Sequence, residues 1–423
     1  MMSKLSVLLG GLSLLVLTTS CDGGDTGSGG SGGEGASGGS GATGGSGGSG
    51  ATGASGGSGA SGGSGGSGAT GGSGGSSCSS LADAVTVSPL AVVPSSSSRV
   101  VTAGRGDGTV VAWAAAQDGS VHVLPLDANG AAAGGEIATQ GNQVFGIAAT
   151  DNDVALLVAR PPDFMTFIRL DNNAVLLGQA DLVGGGDHNT IGVEWFGEFA
   201  TTGRLVAQGD GTYAAYHALH RRWPDNIGHQ GDTLRILNPD GSPKNGGWDW
   251  GCSHSLDQRL AYGPSGLVPI CASDCYPDKG IWFNHSGAKI TDDPAANCAG
   301  GYTTALGGLV VVADGFFLIY KDAQDTAHLG HFNAQGQPIK DRILTEPGTS
   351  RLARYEDGLL IGTSSGAGTV VEKLDATGEP TGEKTEIAAN LPDLDFESRN
   401  DGGVAWATVN GPTMTVVRVR PCP

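Results

Sequence analysis

The run Arg105-Gly106-Asp107-Gly108-Thr109-Val110-Val111-Ala112-Trp113-Ala114 is followed, after a polar break, by Val121-His122-Val123-Leu124-Pro125-Leu126-Asp127-Ala128-Asn129-Gly130. An Asp-Gly pair opens the first run, and a Leu-Asp-x-x-Gly turn closes the second. Both runs are rich in β-branched and aromatic residues and bounded by turn formers, the signature of paired strands. The opening turn recurs at Asp151-Asn152, Asp210-Gly211, Ser265-Gly266, Asp314-Gly315, Asp357-Gly358 and Asp401-Gly402. The closing marker recurs at Leu170-Asp171, Leu237-Asn238, Phe283-Asn284, Phe332-Asn333 and Leu374-Asp375, with a degenerate last copy in 415–420. The spacing between units is mostly 42–49 residues, and no long 3.6-residue period competes with it. Each unit then holds four strands: one on each side of the opening turn, one ending at the closing marker, and one after it.

Four-stranded units at this period resemble a β-propeller, as found in secreted bacterial proteins. The expected fold is all-β, a propeller of about seven blades spanning residues 78–423, with six or eight blades left open. Neither the Gly-His…Trp-Asp signature of WD40 nor the double glycine of kelch recurs as part of the repeat. The seventh unit stops at its third strand. Residues 84–88 have strand character and are expected to complete the last blade, which would set Cys78 beside Cys422 and join them by a disulfide. The Val-Ala-Trp-Ala runs ending at Ala114 and Ala407 occupy the same strand of the first and last blades and read as core.

Ahead of the propeller, residues 1–20 read as an export signal, with Lys4 before an apolar run over 5–17. Leu17-Thr18-Thr19-Ser20-Cys21 resembles a bacterial lipobox, which implies a lipidated, palmitate-bearing Cys21. Thr18 stands where that motif usually has an aliphatic residue, so cleavage near Ser20 without lipidation stays open. Residues 21–77 form a tether. Every third residue from Gly29 to Ser76 is Gly, in sixteen triplets without proline, so a collagen helix is not expected. Such a segment has no apolar surface to offset its ordering entropy and reads as disordered, with a root-mean-square span of roughly 40 Å. Setting Cys21 aside leaves six cysteines, Cys78, Cys252, Cys271, Cys275, Cys298 and Cys422, an even set that reads as disulfides in an exported chain. Cys252–Cys271 and Cys275–Cys298 are the expected loop pairings, although four cysteines allow three connectivities.

The net charge is −19, carried almost wholly outside the leader and tether, which argues against nucleic acid or an anionic membrane as partner. Contact with membrane is expected through the lipid anchor only. The address is the bacterial envelope, outer membrane or cell surface in preference to inner membrane.

The departures from the repeat fall in the loops of one face: about 15 extra residues around 184–198, about eight in 217–231, and the connection 246–255. The loop of unit four that carries Cys271 and Cys275 opens on the same face. Long loops on one face of a rigid scaffold are where binding sites are usually built. Five of nine His and four of seven Trp lie between positions 188 and 254. The candidate ligand residues are Trp195, His217, His220, Trp223, His229, Asp232, Trp248, Trp250 and His254, with His188 beside them. Indole faces stack on sugar rings while Asp and His bond hydroxyls, so a glycan or an envelope or extracellular protein is the expected partner. The alternative is a metal-dependent lyase or hydrolase, with one divalent ion on His217, His229 and His254. No other cofactor is expected, no catalytic residue is assigned, and no HExxH motif is present.

Overall fold

The innermost strands of the structure are Val100–Arg105, Gln143–Ala149, Gly203–Ala207, Asp257–Gly263, Ala305–Val312, Ser350–Tyr355 and Glu397–Ser398. Each begins an antiparallel sheet, and the seven sheets stand side by side around a channel as the blades of a propeller. The computed structural model describes residues 78–422 apart from 93, 96–98, 199–200, 255–256, 286, 295–302, 346–349, 394 and 411–412. The leader, Cys21, the tether and Cys298 lie outside the described residues.

The Leu-Asp-x-x-Gly marker owes its recurrence to one hydrogen-bond pattern. Asp127 Oδ1 accepts from the N–H groups of Asn129 at 2.8 Å and Ala131 at 2.9 Å. Asp171, Asn333 and Asp375 repeat this with their own second and fourth following residues. The fourth position of the turn is left-handed, as at Gly378 with φ +82°, which glycine adopts without strain. In blade two that position is Ala174, held at φ +64°.

The ring is closed by the chain's two ends. Val85–Leu90 pairs antiparallel with Thr413–Val419, from Val85 opposite Val419 to Leu90 opposite Met414. Cys78 and Cys422 are disulfide-bonded with their Cα atoms 5.5 Å apart. Side chains add a second clasp between blades seven and one. Asp395 accepts from the Thr102 N–H at 2.8 Å, the Thr102 hydroxyl at 2.9 Å and the Ala407 N–H at 2.7 Å. Arg399 donates to the Thr109 hydroxyl and the Asp107 carbonyl, and Arg418 reaches the same carbonyl at 2.7 Å.

Apolar layers between blades supply the core. Trp113 packs with Ala407, Met414 and Val416 between blades one and seven, and Trp406 with Tyr355, Leu360, Val371 and Phe396 between blades six and seven. Both indoles are fully buried, worth about 3–5 kcal/mol each against truncation to alanine. Elsewhere the inner strands approach too closely for any side chain. A Cβ on Gly308 would sit 2.0 Å from the Leu352 backbone nitrogen.

One expected loop is not a loop. Residues 217–231 continue blade three as a hairpin of two ten-residue strands, Tyr213–Arg222 and Gly228–Leu237, turning only at 223–227. Glu194–Trp195 pairs with its tip as a fifth strand. The sequence hid this because His217, His220, Arg221 and His229 broke the apolar run, while the stabilising cross-strand pairing does not show in a linear pattern of apolar residues.

Candidate functional site

In an antiparallel four-stranded blade, the loops after strands two and four emerge on one face, and the short repeated turns on the other. The hairpin tip of blade three, the connection leading to Asp257–Gly263 and the loop after Gly266–Ser273 therefore share a face. They build an open pocket of about 430 Å³, lined by Trp223, Pro224, Asp225, His229, Trp250, Ser253 and Tyr276. Trp223 and Trp250 meet edge to face, 5.1 Å between ring centroids. The Arg221 guanidinium lies over both rings at 5.4 and 5.3 Å and is held there by Glu194. Trp250 lies against Gly231, where any Cβ would fall 2.6 Å from the indole. The Trp223 indole N–H is buried with no hydrogen-bond acceptor. His229 and His254 stack at 6.4 Å, and His254 Nδ1 is 2.9 Å from Asp274, whose hydrogen bond raises the imidazole pKa. Tyr276 is 52% exposed at the rim.

The candidate residues divide into those at this pocket and those inside the fold. Trp223, His229 and Trp250 line it, with His254 stacked on His229. Trp195 is sandwiched between His188 at 4.2 Å and His220 at 4.7 Å, so neither indole face is free. Asp232 is fully buried and accepts from Tyr216 Oη at 2.8 Å, the Cys252 N–H at 3.1 Å and Trp248 Nε1 at 3.4 Å. It anchors loops, and Trp248 packs on Tyr216 beside it. His217 is fully buried in blade three and donates from Nδ1 to the Ala218 carbonyl, and desolvation lowers its pKa to about 4. The expected metal set of His217, His229 and His254 is therefore not brought together, because strand pairing turns His217 into the blade. Sequence reasoning missed Pro224, Asp225, Ser253 and Tyr276. Tyr276 had a signal, since it follows Cys275 in the loop already singled out.

Among the described residues, the group whose potential ligand atoms cluster is Asp232, Cys252 and Cys271. The two sulfurs are bonded to each other, so neither offers the thiolate a metal needs. Cys275 is also disulfide-bonded, and its expected partner Cys298 is outside the described residues.

A second concavity was not foreseen. The central channel opens as two connected cavities of about 530 and 570 Å³ that share Arg259, Arg351 and Asp393. Arg204 lines the first and Arg99 the second. Arg204, Arg259 and Arg351 occupy the second or third position of their inner strands, each followed by Leu. All three therefore sit towards the loop-rich end of the channel, and Arg99 directly precedes its strand. Burial, aided by the neighbouring cations, lowers the pKa of Arg204 and Arg351 to about 9. Glu397, open to channel water but ringed by protein, has its carboxyl pushed up to about 7 by burial, against the pull of Arg204.

No known protein family matches this chain, and no curated protein matches it. Solved structures do resemble it. An oligogalacturonate lyase in complex with manganese is 12% identical, covering 80% of this chain and 96% of its own, at a TM-score of 0.46. A β-propeller domain from Myceliophteria thermophila is 9% identical, with coverages of 78% and 99% and a TM-score of 0.44. A gluconolactonase from Xanthomonas campestris is 13% identical, with coverages of 80% and 90% and a TM-score of 0.35. At these identities the likeness is one of fold.

Proposed function

We propose that this chain is an envelope-anchored lipoprotein whose propeller binds a glycan through its loop-rich face. The observation that carries the reading is the Trp223–Trp250 pair beside His229, Asp225, Ser253 and Tyr276 around one open pocket. Flat apolar rings beside carboxylate, imidazole and hydroxyl groups match the alternating apolar and hydroxyl surfaces of a sugar. The volume suits one or two sugar rings, and the rigid blades fix the geometry before binding. Lipidation of Cys21 and the Gly-rich tether would hold this face off a membrane surface while leaving it free to sample ligands. The metal-enzyme alternative has no comparable support, since its three imidazoles are divided between the blade interior and the pocket.

The test is a glycan-binding screen on the purified chain, followed by Tyr276→Ala and Trp250→Ala. Losing one stacking face costs about 1–1.5 kcal/mol, a loss of roughly 5–15-fold in affinity. A glycan bound equally well by both variants would overturn the assignment of this pocket. In cells, Cys21→Ala is expected to move the chain from the membrane fraction to the soluble fraction.

A further inference from the structure

We propose that the four arginines at the loop-rich end of the channel form a binding site for a small multivalent anion, a molecule carrying two or more carboxylate or phosphate groups. The site is separate from the aromatic pocket and does not depend on the glycan reading.

The first support is placement. Arg204-Leu205, Arg259-Leu260 and Arg351-Leu352 repeat one dipeptide at the same station of three inner strands, six residues before the opening turns at Asp210, Ser265 and Asp357. Packing explains the leucines, which are buried between blades. It does not explain why the neighbouring side chain, which faces a channel, should be a cation three times. Arg99 makes a fourth.

The second is charge. Asp257 pairs with Arg259 and stands 3.9 Å from Arg204, and Asp393, 90% exposed, stands 3.6 Å from Arg351. Arg204, Arg259 and Arg351 outnumber these two carboxylates, and Arg99 stands on the same wall. Of the other acids on the wall, Glu356 is paired with Lys373, and Glu397 is only part-ionised at neutral pH. Like charges held together on the channel wall repel, and a multivalent anion lowers that cost.

The third is unused hydrogen-bonding capacity. Arg259 is committed to the scaffold, donating to the carbonyls of Gln258, Leu306 and Gly307. Arg204 is not. Its Nη1 reaches the Gly203 carbonyl at 2.7 Å, while its Nη2 is buried and makes no hydrogen bond. A planar guanidinium whose Nη2 makes no hydrogen bond, with Asp257 Oδ1 3.9 Å away, is suited to an oxyanion. Either cavity, at about 530 or 570 Å³, accommodates a small molecule of this kind.

The experiment is calorimetric titration and thermal melting of the purified full chain with citrate and, separately, inorganic pyrophosphate, against potassium chloride at matched ionic strength. The expected result is saturable binding of at least one probe with a rise in melting temperature. Binding of citrate alone assigns the site to polycarboxylates, and of pyrophosphate alone to phosphates. Arg204→Gln is expected to weaken binding about 10-fold or more, without lowering the melting temperature of the anion-free chain. Arg351→Gln supplies the same comparison if the first variant does not fold. Failure of both probes to outdo chloride would overturn the proposal. So would unchanged affinity in these variants, with a lowered anion-free melting temperature marking the arginines as structural.

Discussion

Cutting the closure disulfide is expected to cost this propeller a large part of its stability. Cys78 and Cys422 are 344 residues apart in sequence, so their bond keeps the unfolded propeller chain closed in one large ring. Loop-closure entropy for a ring of that size is ~6 kcal/mol at room temperature, and measured disulfides usually deliver somewhat less. The folded ring stays clasped in the variant, because Val85–Leu90 keeps its six cross-strand pairs and Asp395 still bridges Thr102 to Ala407. The loss therefore comes mostly from the unfolded side, and we expect about 3–6 kcal/mol for Cys78→Ala/Cys422→Ala. Against a typical total of ~5–15 kcal/mol, that is readily measured. The assay is guanidinium unfolding of wild type and variant under non-reducing conditions, followed by tryptophan fluorescence. A difference below ~1 kcal/mol would refute the reasoning, since the crosslink would then not be restraining the unfolded chain.

Three further outcomes are expected. Gly308→Ala should destabilise by more than ~3 kcal/mol, because its Cβ would fall 2.0 Å from a backbone nitrogen of the next blade, whereas Gly366→Ala, with open space around it, should stay within ~0.5 kcal/mol; chemical denaturation compares the two. Ala174→Gly should leave stability unchanged or raise it by up to ~1 kcal/mol, since relief of its left-handed backbone outweighs the added unfolded-state freedom; a melting temperature that falls would contradict this. His217 has a folded pKa of about 4 against 6.5 unfolded, so the unfolded chain takes up the proton first. Its contribution is complete above pH 6.5 and lost as pH falls towards 4, by ~3 kcal/mol, and unfolding at pH 7 and pH 4.5 should show a smaller drop in His217→Gln than in wild type.

The blades were legible because the repeat encodes a local device. An Asp or Asn accepting two N–H bonds within five residues, followed by a left-handed position, needs no tertiary context. Closure was legible for a similar reason: a missing strand at one end and a spare one at the other leave one arrangement. The site was read less well. Composition picked out the region that holds the aromatic pocket, but Trp195, His220 and Asp232 are consumed inside it, and a sequence does not show which face of an indole is already covered. His217 failed for the same cause, since cross-strand pairing decides which way a strand residue points. The channel arginines were hidden by an acidic net charge, which sums the whole surface and says nothing of a cavity enclosed by it. Their repeated Arg-Leu spacing was visible, but it occurs in three units of seven and carries no meaning until the inner strands are known.

The most direct test of the central claim is a glycan panel probed with the purified chain, wild type beside Tyr276→Ala and Trp250→Ala at neutral pH. The account predicts saturable binding of at least one glycan by the wild type, weakened roughly 5–15-fold in each variant whose fold is intact. An absence of glycan binding by the wild type, or binding indifferent to both substitutions, would contradict it.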